Sequence, residues 1–241
     1  MSGHNKWSTI KRKKAVLDAK KGKIFSRIIK EIMIAVRQGG SDPEGNARLR
    51  LAIDNAKSAN MPAENIERAI KKASGELEGQ QLFEVMYEGY GPGGAAILVE
   101  AATDNKNRTI QEIRHMFTKY GGTLGETNSV AWMFEHKGII TIKRDGKSED
   151  EMMEIILDVG ADDLITEEEF FQVKTSIEDF ERIRRALAEK KLNIENASLQ
   201  WIPKTNHEIT SEAAEKFEKL MDAIEDCDDV QNVYTNADIK D

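Results

Sequence analysis

Residues 83–102 read FEVMYEGYGPGGAAILVEAA, and their period differs from everything before them. Phe83–Tyr90 and Ala95–Ala102 are dense in apolar and β-favouring residues, and Gly91-Pro92-Gly93-Gly94 stands between them. That is the pattern of two strands joined by a hairpin-like turn. The stretch divides the chain: helical spacing precedes it, and alternating strands and helices follow.

Upstream, Ile24, Phe25, Ile28, Ile29, Ile32, Met33 and Val36 form one helical stripe, with Lys23, Arg27, Lys30 and Arg37 on another face. Gly39-Gly40 stops this helix. Asp42-Pro43 reads as the cap and first-turn proline of a helix from about Glu44 to Ala59. A third helix carries Pro62 in its first turn and Ile66, Ala69, Ile70 and Ala73 inward, and Gly75 ends it. Three short amphipathic helices with tight links predict a small bundle. Before them, residues 1–22 read as an extended lysine-rich arm with a helical portion within 9–20.

Downstream, Thr109–Tyr120 reads as a helix capped by Asp104 or Asn107 and ended by Gly121-Gly122. Ser129–Phe134 reads as a strand. Strand Ile139–Lys143, helix Glu149–Val159, strands Asp163–Thr166 and Phe170–Thr175, helix Ser176–Lys190 and strand Ala197–Ile202 follow, with Ile177, Phe180, Ile183 and Leu187 inward on the second helix. This β-α-β-β-α-β order is the ferredoxin-like split unit. A last helix, Ser211–Asp226, and strand, Val230–Thr235, cannot bury their apolar faces alone, so they complete the set begun at Phe83. The expected fold class is α+β: a three-helix bundle with a basic arm, then two ferredoxin-like α/β domains, one inserted in the other. The expected domains are 1–78, 79–134 plus 207–241, and the insertion 135–206.

Charge is distributed as unevenly as period. The 241 residues carry 35 Lys+Arg and 43 Asp+Glu, net −8, which excludes a uniformly basic nucleic-acid coat. Residues 1–78 are net +8 and residues 79–241 net −16. Residues 1–37 hold 11 cations against Asp18 and Glu31 alone, net +9. Such asymmetry points to a polyanion partner for the basic part. No apolar run reaches the ~18 residues of a membrane span, and the first residues lack the pattern of a secretory signal. A lone cysteine, Cys227, forms no internal disulfide and fits a reducing compartment. A cytoplasmic protein is expected.

Catalytic signatures are missing. Gly89-Tyr90-Gly91-Pro92-Gly93-Gly94 has no following Lys and leads into a strand, so it is neither a P-loop nor a dinucleotide fingerprint. The four histidines, His4, His115, His136 and His207, make no HExxH, and one cysteine cannot make a zinc finger. The acids between Glu149 and Glu169 lack EF-hand spacing. Acidic neighbours should raise the pKa of Cys227. No cofactor, metal or small-molecule substrate is expected. Asp104-Asn105-Lys106-Asn107-Arg108-Thr109 reads either as an Asx-rich cap or as a phosphate contact at a helix start.

Several stretches resemble the YebC/PmpR family: Gly3-His4-Asn5-Lys6-Trp7, Asp18-Ala19-Lys20-Lys21-Gly22-Lys23, Gly39-Gly40-Ser41-Asp42-Pro43, Asn60-Met61-Pro62, Tyr87 through Gly94, Thr103 through Thr109, and Gly121-Gly122-Thr123-Leu124-Gly125. That family includes the mitochondrial translational activator of cytochrome c oxidase subunit I. The resemblance implies a helical N-terminal domain, two α/β domains, and a cytoplasmic, non-enzymatic factor in gene expression. Members have been called DNA-binding transcriptional regulators, and others look like ribosome-associated translation factors that ease difficult peptide synthesis.

The resulting expectation is a regulator that binds nucleic acid, either DNA or ribosomal or messenger RNA, through its basic N-terminal third. Lys6, Lys11, Arg12, Lys13, Lys14, Lys20, Lys21, Lys23 and Arg27 would meet phosphates. Trp7 would stack on a base or dock on the protein. Gly91, Gly93, Gly94, Asn105, Lys106, Asn107 and Arg108 are secondary contact candidates. The alternatives are a protein-interaction module that uses the acidic domains, and an enzyme of unknown reaction.

Overall fold

The computed structural model describes residues 21–77 and 81–239. Helix α1 (Lys21–Gly39) packs against α2 (Ala47–Ser58) and α3 (Ala63–Ser74). Ile32, Met33, Val36, Leu49, Ala52 and Ile66 are buried between them, as the helical stripes require. Gly75 ends α3 at φ 88°, the left-handed conformation that glycine adopts without strain.

The start of α2 corrects the expected cap. Asp42-Pro43 forms a turn in which the Glu44 N–H donates to Asp42 Oδ1 at 3.0 Å, and the helix begins at Ala47. Buried Asn46 is the cap. Its Oδ1 accepts from the Leu49 N–H at 3.0 Å, and its Nδ2 donates to the carbonyls of Ala35 at 2.7 Å and Gly40 at 2.8 Å. One amide thus closes the end of α1 and opens α2. Gly39 leaves room for it, since a Cβ there would lie 2.7 Å from Asn46 Nδ2.

Strands β1 (Phe83–Tyr90) and β2 (Ala96–Thr103) pair antiparallel from Phe83↔Thr103 to Tyr90↔Ala96. The short β3 (Thr123–Leu124) lies on the other side of β1, and the sheet order is β3-β1-β2-β9, with β9 spanning Val230–Thr235. Two helices, α4 (Lys106–Lys119) and α7 (Ser211–Asp226), cover one face. Ile97 and Val99 meet Ile113, Phe117, Phe217 and Leu220 in that core.

Helix α4 starts three residues before Thr109. Its cap is Asn105, between the two expected candidates, whose side chain accepts from the Arg108 N–H at 3.1 Å. The expected strand at 129–134 is instead a short 3-10 turn, Ala131–Met133, that leads into the long β4 (Phe134–Lys143). The reason is Glu88, whose carboxylate accepts from the N–H groups of Asn128, Val130 and Ala131 at 2.7–2.9 Å. Those amides are then unavailable to a strand ladder.

The second sheet has the order β5-β6-β4-β7, with β5 at Asp163–Thr166, β6 at Phe170–Thr175 and β7 at Ile194–Pro203. Helices α5 (Glu149–Val159) and α6 (Phe180–Glu189) cover it. Helix α6 begins at Phe180, later than expected. The Asp179 N–H donates to Ser176 Oγ at 3.0 Å and makes a side-chain-closed turn. Ile177 therefore sits in the turn, 43% exposed, and not on the inward stripe. Two further strands, β8 (His207–Ile209) and β10 (Ala237–Ile239), pair in parallel and were not expected. The fold is α+β.

Residue Asn46 allows a direct check of the bundle. Asn46→Ala removes the cap and the donor to the Ala35 and Gly40 carbonyls, and is expected to cost about 2 kcal/mol. The loss should appear as a lower midpoint in urea unfolding followed by circular dichroism.

Candidate nucleic-acid interface

The expected phosphate contacts Lys6, Lys11, Arg12, Lys13, Lys14 and Lys20, with Trp7, lie outside the described residues. Lys21 opens α1. Lys23 and Arg27 are engaged within the molecule. With Lys30 they form a cationic ridge along α1, and the ridge rests on the end of α7 and the acidic loop after it. Lys23 Nζ lies 2.9 Å from Asp226 Oδ1. Arg27 donates to the Glu225 carbonyl at 2.8 Å and the Val230 carbonyl at 3.1 Å. Lys30 donates to the carbonyls of Asp228 at 2.8 Å and Ala102 at 2.9 Å. A helix C-terminus exposes carbonyls without partners and carries partial negative charge, so cations dock there naturally. Burial pulls the Arg27 guanidinium below its ordinary pKa, with Glu225 and Asp226 opposing.

Asp229 is the centre of this contact. Its side chain is 9% exposed. It accepts from Lys30 Nζ at 3.1 Å, Arg108 at 2.7 Å, Thr109 Oγ1 at 2.8 Å and Thr103 Oγ1 at 3.2 Å. Burial opposes its ionisation, but the bonds from Arg108, Thr109 and Lys30 outweigh that and bring its pKa down to about 2.

This arrangement gives residues 104–109 a structural role. Asn105 caps α4, and Arg108 bridges Asp229 and Asp104, the latter at 2.9 Å. Lys106 lies over the Phe83 ring at 4.7 Å, while Asn107 is exposed. The glycine turn is likewise packed. A Cβ on Gly91 would lie 2.9 Å from Ile97 and Phe217, and Gly93, at φ +79°, faces Ile209 and Ala213. Gly94, at φ +84°, is exposed beside His207.

Of the other bundle cations, Arg48 is held by Glu31 and Glu84, and Arg68 pairs with Glu64 along its own helix at 2.9 Å. Lys57, Lys71 and Lys72 are exposed near the C-terminal ends of α2 and α3. Cys227 behaves as expected in direction: burial first, then Glu112 and Asp229, raises its pKa. Among the described residues, no three His, Cys, Asp or Glu side chains are grouped as metal ligands. No helix there is long and apolar enough to cross a membrane.

Sequence reasoning missed Asp229. It sits in Asp226-Cys227-Asp228-Asp229, where nothing in the spacing separates a buried acid from solvated ones. Its position directly before the strand at Val230 was the one available signal.

Two family models cover nearly the whole chain. The TACO1/YebC protein N-terminal domain matches residues 5–76, and the TACO1/YebC second and third domain matches residues 82–237. The chain belongs to the TACO1/YebC family. A "probable transcriptional regulatory protein" of Desulfatibacillum aliphaticivorans is 54% identical over 241 residues, covering 100% of this chain and 98% of the relative. One of the same name from Chlorobaculum tepidum is 52% identical over 240 residues, covering 99% and 96%. The crystal structure of a conserved hypothetical protein from Aquifex aeolicus superimposes with a TM-score of 0.87 at 48% identity, covering 93% of each chain.

In this TACO1/YebC chain the two matched regions meet between α3 and β1, and Asp229 ties them together. Lys30 lies in the first region and Arg108, Thr109 and Asp229 in the second. The sign of the pH effect follows from the lowered pKa. An aspartate at about 2 when folded, and near the ordinary ~3.9 when unfolded, stabilises fully above about pH 4. That stability is lost as pH falls towards 2. Asp229→Asn should unfold at lower urea at pH 7 and show a weaker dependence on pH between about 4 and 2 than the parent.

Proposed function

We propose that this TACO1/YebC chain is a non-enzymatic regulator of gene expression that docks on nucleic acid through its basic N-terminal segment. The observation that carries the reading is the division of charge, +8 for residues 1–78 against −16 for residues 79–241. The relatives' shared name, probable transcriptional regulatory protein, supports a regulatory role. Cytoplasmic location is part of the same proposal.

Internal contacts of α1 support a narrower set of docking cations. Lys23, Arg27 and Lys30 hold α1 on the acidic loop. The phosphate contacts are therefore assigned to Lys6, Lys11, Arg12, Lys13, Lys14, Lys20 and Lys21, where the chain carries only Asp18 in opposition. The clamp fixes the direction of α1 relative to the α/β units, and so fixes where the preceding residues begin. The acidic units are repelled from the same phosphates, which orients the protein on its target. These contacts supply affinity and position, not sequence information.

RNA, including the RNA of the ribosome, is the target we favour over duplex DNA. The sequence of the bundle offers no clear helix-turn-helix recognition helix. Crosslinking in cells, followed by identification of the recovered nucleic acid, tests the target. Messenger or ribosomal RNA is expected, and recovery of duplex DNA alone would reverse the preference.

Salt dependence tests the interface. Replacing Lys11, Arg12, Lys13 and Lys14 together with Ala should weaken binding and flatten the plot of log affinity against log salt, by up to about 0.9 per lost contact on duplex DNA and about 0.7 on single strands. Lys23→Ala should leave that slope unchanged. Equal slopes for the quadruple variant and the parent would refute docking through these residues.

A further inference from the structure

We propose that the outer face of α5 docks a basic amphipathic helix of a protein partner. Leu157 on that face is 72% exposed, the most exposed large apolar side chain among the described residues. One exposed leucine is ordinary on a protein surface. The setting of this one is not.

Met152, Ile156 and Val159 face the second sheet and are buried in its core. Met153, one turn before Leu157, is partly exposed and lies outside that core. At 3.6 residues per turn, Met153 and Leu157 form a short apolar strip, with Glu149 along one side and Asp150 and Glu154 along the other. All three acids are exposed. No described cation forms an ion pair with them. The other two acids of the helix are engaged: Glu151 closes a capping box with Ser148, and Asp158 lies 2.7 Å from Lys190 Nζ.

Helix stability accounts for part of this pattern. Acids in a first turn are favoured by the helix dipole, which explains Glu149 and Asp150. It explains neither Glu154 nor an apolar strip between acids. The other surface helices stay soluble by mixing signs and pairing them along the helix: Glu64 with Arg68 on α3, Glu181 with Arg185 on α6, and Glu215 with Lys219 on α7. Helix α5 carries five acids and no cation.

Charge selects the occupant. A second copy of the chain, meeting this face through a two-fold axis, would set the same acids against one another. Nucleic acid and anionic lipid are repelled for the same reason. A segment with Lys or Arg beside apolar side chains satisfies both features of the face. Its apolar side chains cover Met153 and Leu157, and its cations meet Glu149, Asp150 and Glu154. A helix presents such side chains at spacings of three and four, which match the strip. The surface that turns phosphate away thus holds a basic protein, and this binding does not depend on the nucleic-acid docking proposed above.

Titration calorimetry of the full chain with a synthetic helix of Leu and Lys, its leucines on one face, tests this. Binding that weakens with salt is expected, and a peptide of the same composition with scattered leucines should bind at least ten-fold more weakly. Leu157→Ser should weaken binding of the amphipathic peptide roughly ten-fold, with the salt slope unchanged and the melting temperature near that of the parent. Asp150→Lys with Glu154→Lys should weaken it at least as much and flatten the slope. Glu212→Lys with Glu218→Lys on α7 changes the net charge equally and should bind as the parent does. If the two double variants weaken binding equally, or if Leu157→Ser binds as tightly as the parent, docking on α5 is refuted. Failure of the parent to bind the amphipathic peptide refutes it too. Each of these outcomes leaves nucleic-acid docking standing, because that rests on different residues.

Discussion

The Asp229 carboxylate is a single charge shared by four donors on three parts of the chain. Lys30 comes from α1, Thr103 from the end of β2, and Arg108 and Thr109 from the start of α4. A carboxylate so far out of water must be compensated by well-placed donors, and here three different elements deliver them. The interaction therefore holds only when the bundle, the first sheet and the loop after α7 are all in their final places. It sets the orientation of α1, and α1 in turn sets where the basic segment before it starts.

Two other carboxylates follow the same logic. Glu88 gathers the amides of 128–131 and turns a would-be strand into a fixed bend. Glu100 accepts from Asn232 and Tyr234 within its own sheet and from Trp201 of the second sheet, joining the two. The acidic character of residues 79–241 is thus partly structural. Some acids are internal anchors for amides, hydroxyls and cations, and the rest give a surface that repels phosphate.

Where local chemistry alone decides an element, its limits were readable. Helices Glu149–Val159 and Ser211–Asp226 and strand Val230–Thr235 fall where pattern places them. Ser148 and Glu151 form a capping box within four residues of chain. The misread places are those where a side chain from elsewhere intervenes. Asn46 takes the cap of α2 because it also ties down Ala35 and Gly40. The 129–134 segment bends because Glu88, some forty residues earlier, claims its amides. The parallel pair of β8 and β10 joins segments of three residues each, too short to leave a period.

The sequence by itself determined the α+β class, the three helices of the bundle, the order of the longer strands and helices, and the concentration of positive charge up to Arg37. These depend on spacing along the chain and on composition, which folding does not alter. Tertiary structure decided which of the described cations are engaged within the molecule. Lys23 and Arg27 belong to the same lysine-rich run as their neighbours, and no feature of that run marks them apart. Only the approach of α1 to the carbonyls of Glu225 and Val230 and to Asp226 engages them within the molecule.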